Sequence, residues 1–92
     1  LHVFRALGDG NYYQQGGRVK IELTSPIPGK IMKILVNVGE EVNEDDEVIK
    51  MESMKMENPI YSPATGKVVE IAVEENREVE ADDLLLVIEA VG

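Results

Sequence analysis

One short stretch of this sequence carries residue types whose spacing suggests more than packing: Glu52-Ser53-Met54-Lys55-Met56. A primary amine stands between two thioethers, which are soft, adaptable contact groups. If a strand continues through the stretch, Met54 and Met56 share one face and Lys55 points to the other. Ser53, flanked by Glu52 and Met54, reads as a turn residue. By itself such a lysine is a surface residue in a hairpin, with methionines filling nearby gaps. Its position, at the join of a duplicated unit described below, makes it a handle for recognition at a single amine. Other chemistries lack their residues. There is no Cys, hence no disulfide, no thiolate metal site and no thiol nucleophile. The one His is His2, which leaves neither a Ser-His-Asp triad nor a multi-histidine metal site. Asp45-Asp46 could suggest metal or acid-base chemistry, but the pair recurs as Asp82-Asp83, which favours a turn role. The run Gly8 to Tyr13 lacks the third glycine and the preceding strand of a phosphate loop.

The elements that must position the lysine follow from a repeat. Residues 25–52 and 62–89 align without a gap at an offset of 37, with 11 of 28 positions identical. The shared positions include Ser25/Ser62, Pro26/Pro63, Gly29/Gly66, Lys30/Lys67, Val42/Val79, Asp45/Asp82 and Asp46/Asp83. Two copies are too few for a solenoid and suggest one pseudo-twofold domain. Each copy reads as β. Met32, Ile34, Val36 and Val38 form an apolar set alternating with Ile31, Lys33, Leu35 and Asn37; Val69, Ile71 and Val73 repeat it. Ile49, Met51, Leu86 and Ile88 form a second inner set. Val42 and Val79, each alone among acids, pin tight acidic turns. Short strands with Ser-Pro and Gly punctuation argue for a small sandwich or barrel. The Met-Lys-Met stretch is then the hairpin joining the halves, at one end of the domain, with the chain termini at the other.

Length and composition bound the rest. Ninety-two residues allow one domain, and aromatics make up only 4%, so the core is aliphatic. A formal net charge of -9 disfavours nucleic acid and anionic membrane surfaces as partners. No apolar run approaches the roughly 18 residues of a membrane span, so direct membrane insertion is not expected. The acidity belongs to the part after residue 24. It reads as solvated turns, with a docking face for basic partners as the alternative. Residues 1–17 read as a flexible linker or the end of a preceding domain, with helix confined to residues 1–7. The Gly-rich stretch from Gly8 to Gly17 would span roughly 17 Å root-mean-square as a free chain. Leu1 in place of an initiator Met, and the apolar start, read as the end of a longer chain.

The Glu-Ser-Met-Lys-Met stretch has Ser-Pro-Ile-Pro-Gly-Lys before it and Ser-Pro-Ala-Thr-Gly-Lys after it. With the repeat, it resembles the biotinyl carrier domains of biotin-dependent carboxylases and decarboxylases. Their usual motif is Ala-Met-Lys-Met; Ser53 takes the Ala position. The resemblance covers residues 25–89 and implies a domain over 18–92. The implied fold is all-β, a flattened barrel or sandwich of two four-stranded antiparallel sheets with pseudo-twofold symmetry, a barrel-sandwich hybrid. It implies biotin as an amide on Lys55, with Met54, Met56, Ser53 and Glu52 around it. The implied partners are biotin protein ligase, then a biotin carboxylase and a carboxyltransferase between which the carrier shuttles carboxyl. The domain itself would be non-catalytic and cytoplasmic. The ungapped repeat implies a type without the protruding thumb of bacterial acetyl-CoA carboxylase carriers. Two rivals stay open: a lipoyl carrier, whose lysine usually follows an acidic residue and precedes Ala, and an unmodified β module. The acyl-CoA or keto acid, and carboxylase against decarboxylase, stay open as well.

Overall fold

The Ser-Pro and Asp-Asp signatures of the repeat meet across the molecule. In the computed structural model, which describes residues 3–5, 11–15 and 18–91, Ser25 N–H donates to the Asp83 carbonyl (2.8 Å) and Asp82 N–H to the Ser25 carbonyl (2.7 Å). The same exchange joins Ser62 to Asp46 (2.7 Å) and Asp45 to Ser62 (2.9 Å). Each half's Ser-Pro loop is therefore locked to the other half's acidic turn. Both serines are buried, and their hydroxyls donate to the carbonyls of Ile27 and Ala64, which satisfies them. The first Asp of each pair takes a left-handed conformation (φ 72° and 71°), which Asp tolerates better than most residues. The second caps the turn: Asp46 accepts from Asn43 N–H and Asp83 from Glu80 N–H, both at 2.9 Å. The paired acids are turn devices, as their recurrence suggests.

Among the described residues, ten strands run in the order β1 (Val3–Arg5), β2 (Asn11–Gln15), β3 (Arg18–Thr24), β4 (Gly29–Ile34), β5 (Glu41–Val42), β6 (Glu47–Ser53), β7 (Met56–Tyr61), β8 (Gly66–Ile71), β9 (Glu78–Val79) and β10 (Leu84–Val91). The core of the fold is two antiparallel sheets, β3-β10-β8-β5 and β7-β6-β4-β9. They match under the 37-residue offset, strand for strand. Each sheet takes two strands from each half, so neither half can complete a sheet alone. The all-β class and the two four-stranded sheets agree with expectation.

Three features differ from the sequence reading. First, β2 pairs with β3 and β1 with β2, which widens one sheet to six strands. Where a linker and a short helix are expected, Val3–Arg5 and Asn11–Gln15 are strands. The edge of β3 offers unpaired backbone groups, and a Tyr-Tyr-Gln-Gln run can satisfy them. Residues 1–2, 6–10, 16–17 and 92, including His2 and five of the eight glycines, lie outside the described residues.

Second, the alternation breaks in β4 and β8. The pairing register shifts between Ile31 and Lys33 in one, and between Val68 and Glu70 in the other. Met32 and Val69 are the extra residues, 37 apart. A bulge flips every later side chain to the other face. Ile31 and Val68, expected outside, are fully buried, while Met32 and Val38 are exposed. Beyond the bulges Val36 and Val73 return to the core as expected. Third, further shifts at the starts of β6 and β10 bury Val48 beside Ile49 and Leu85 beside Leu86. Ile49, Met51, Leu86 and Ile88 are all fully buried, as are Val42 and Val79 to within 4%. The core is aliphatic throughout, each fully buried side chain contributing roughly 1.5–3 kcal/mol.

Candidate functional site

The lysine stands at the tip of the β6–β7 hairpin. Ser53 pairs with Met56 across the strands, leaving Met54 and Lys55 as a two-residue turn. Both have positive φ (54° and 63°), the pattern of a type I′ turn, whose twist matches that of the strands it joins. Such turns favour Asn-Gly; a side-chain-bearing residue in this region costs roughly 1–2 kcal/mol. The strand alternation expected for Met54, Lys55 and Met56 therefore does not hold. Met54 and Lys55 are the turn itself, and Met56 opens the returning strand. All three are exposed, Met54 at 92% and Met56 at 66%.

The base of the turn is anchored. Ser53 sits one position before the turn centre, and its hydroxyl donates to the Pro28 carbonyl at 3.0 Å, tying the hairpin to the loop that opens the first half. The Asn58 amide donates to the Met56 carbonyl at 3.1 Å. Lys50 and Glu57 form a surface ion pair at 3.4 Å. Gly29, at the start of β4, lies so close to β6 that a Cβ there would fall 2.6 Å from the Glu52 carbonyl oxygen. Glu52 is exposed and faces Lys30 across the sheet. The structure thus brings Glu52, Ser53, Met54, Lys55 and Met56 together at one end. A shallow groove of about 440 Å³ runs beside them, lined by Pro28, Lys30, Met54, Glu78 and Glu80 among others. Pro28 and Asn58 were not legible as site residues. The second proline of the Ser-Pro-Ile-Pro loop, absent from the other copy, is the one signal that marks Pro28.

Lys55 differs from every other described lysine. Lys20, Lys30, Lys33, Lys50 and Lys67 all lie within strands; Lys55 alone occupies a turn. Among the described residues no side chain pairs with its ammonium. At the position equivalent to the β6–β7 turn under the repeat, the start of β3 and the end of β10 pair, Arg18 with Val91. Among the described residues, Lys55 is thus the one lysine set in a hairpin turn. No three His, Cys, Asp or Glu side chains cluster as metal ligands among the described residues.

Two interlocked four-stranded sheets present Lys55 to solvent on the β6–β7 hairpin, an arrangement suited to a carrier domain. Residues 21–88 match the family model described as "Biotin-requiring enzyme". The chain belongs to that family: it is a biotinyl carrier domain, and biotin is its cofactor. Among curated relatives, it is 53% identical over 38 residues to the mitochondrial methylcrotonoyl-CoA carboxylase subunit alpha of Dictyostelium discoideum, covering 41% of this chain and 5% of that one. It is 50% identical over 38 residues to the biotin carboxyl carrier protein of Streptococcus mutans, covering 41% of this chain and 29% of that one. Among solved structures, the Kluyveromyces lactis urea carboxylase superposes with a TM-score of 0.72 at 32% identity, over 90% of this chain and 7% of that one. The chain spans less than a third of each of these proteins.

Proposed function

We propose that Lys55 carries biotin as an amide and that the domain shuttles carboxyl between a biotin carboxylase and a carboxyltransferase, performing no catalysis itself. One observation carries this reading: in a member of this family, Lys55 is the one described lysine outside a strand, exposed at the tip of a rigid turn between two exposed methionines. The residues fit the group. An amine at a hairpin tip can enter a ligase active site without unfolding any strand, and nothing described near it would block a long acyl arm. When bound, biotin supplies a ring nitrogen that accepts and releases carboxyl. The chain's own part is positional. The type I′ turn fixes the direction of Lys55, Ser53 holds the turn to the body, and Met54 and Met56 offer apolar contact to whichever partner receives the lysine. Acylation removes one positive charge, taking the formal net charge from -9 to -10.

The proposal extends to biotin protein ligase as the modifying partner, to residues 18–92 as the carrier unit and to the cytoplasm as its compartment. Relatives named as acyl-CoA and urea carboxylases support a carboxylase parent, in which the carrier would be one part of a larger assembly. Tethering there raises its effective concentration towards the millimolar range, so weak docking suffices.

The deciding experiment is an intact mass after incubation with biotin, ATP and biotin ligase, beside a Lys55→Ala control. A gain of one biotinyl group in the wild type alone is expected. No gain, with circular dichroism showing an intact β fold, overturns the reading and directs the next assay to lipoylation.

A further inference from the structure

The four methionines of this chain form a graded series. Met51 is fully buried, Met32 is 39% exposed, Met56 66% and Met54 92%. The two most accessible thioethers are those that flank Lys55. Met51 is enclosed by core packing: its sulfur lies 3.8 Å from the Ser25 hydroxyl, and even a methyl group on Gly29 would crowd it at 3.1 Å. Accessibility governs which thioethers meet a dissolved oxidant.

We propose that Met54 and Met56 are a paired oxidation site, and that their conversion to sulfoxides slows acylation of Lys55. The oxidant is hydrogen peroxide. A sulfur lone pair attacks one peroxide oxygen, the O–O bond breaks, and the departing hydroxide takes the proton of the new sulfur-bound hydroxyl, leaving sulfoxide and water. Each sulfur gives up two electrons and gains one oxygen; the peroxide is reduced. The product is a polar, chiral group in place of a flexible apolar one. At Met54 and Met56 both side chains stand in solvent, so the fold loses no packing when they change. Met51 stays shielded. The effect falls on the surface that a partner must cover to reach the amine. Two sulfoxide dipoles beside Lys55 must be desolvated there without designed hydrogen-bond partners. The oxidation order stands on the structure alone, while the slowing of acylation rests on the carrier reading proposed above.

The test treats the whole chain with hydrogen peroxide, removes the oxidant, and divides the sample. Peptide mapping is expected to show sulfoxide at Met54 first, then Met56, then Met32, with Met51 unmodified while the thermal midpoint stays unchanged. Biotin loading by ligase and ATP is expected to fall about tenfold, the effect of losing one partly buried apolar contact, and to return after treatment with methionine sulfoxide reductases. The Met54→Leu, Met56→Leu double variant, which keeps Met32, is expected to load at one rate before and after peroxide. Early oxidation of Met51, or an order led by Met32, overturns the assignment of the site. Unchanged loading with both flanking sulfoxides present overturns the gating, as does peroxide sensitivity that persists in the double variant. Absence of loading in the untreated chain overturns the carrier reading and the gating with it, and leaves the oxidation order to be judged by the map alone.

Discussion

The Ser53 hydroxyl donates to the Pro28 carbonyl at 3.0 Å, so the hairpin that presents Lys55 is fastened to the loop opening the first half of the repeat. Pro28 is also the residue before Gly29, whose lack of a side chain lets β4 close against β6. The fastening and the close approach act on the same corner. Together they hold a turn made of two residues that disfavour it.

Replacing Ser53 with Ala removes that bond and leaves an accessible carbonyl that water can satisfy. The loss is expected to be about 0.5–1.5 kcal/mol, read as a lower urea midpoint with an unchanged slope. Biotin loading is expected to survive, because the backbone turn remains. A loss of loading with the fold intact would show that the hydroxyl is read by the ligase.

Met54 bears a side chain at positive φ, which Asn tolerates far better. Met54→Asn is therefore expected to stabilise the domain by about 0.5–1 kcal/mol and to slow biotin loading. Thermal unfolding and loading kinetics on one preparation check both. A variant that is less stable would contradict the turn geometry.

A Cβ at Gly66 would meet the Glu89 carbonyl and lie 2.9 Å from the Ile88 side chain. Gly66→Ala must push β8 from β10, at an expected cost of about 1–3 kcal/mol or more. Denaturant unfolding measures it. A near-neutral result would mean that the two strands sit further apart than the structure places them.

The acidic turns are equivalent by symmetry, so Asp46→Ala and Asp83→Ala are expected to cost the same, about 1 kcal/mol each. Each loses one charge-assisted bond to a backbone N–H of 2.9 Å, to Asn43 or Glu80 respectively. Urea titrations of both variants would expose an asymmetry. A cost confined to one turn would break the equivalence of the halves.

The β class, the duplication, the aliphatic core and the placing of Lys55 on the joining hairpin were legible in the sequence. They rest on local patterns: alternation in Ile49-Met51 and Leu86-Ile88, turn chemistry at Ser25-Pro26 and Asp45-Asp46, and one lysine between two copies. Local patterns survive folding because backbone hydrogen bonding and apolar burial act on them directly. What the tertiary structure decided depends on neighbours distant in the chain. Met32 and Val69 became bulged residues because the partner strands β6 and β10 set the register. Met54 and Lys55 took positive φ because the Ser53–Met56 pairing leaves only two residues to reverse the chain. Asn11–Gln15 became a strand because β3 offered it an edge. The sequence alone determined the strand-like alternation, the turns and the hairpin that carries Lys55. Only the assembled sheets decided on which face, in which register and with which anchor, since those are set by long-range pairing that no short window contains.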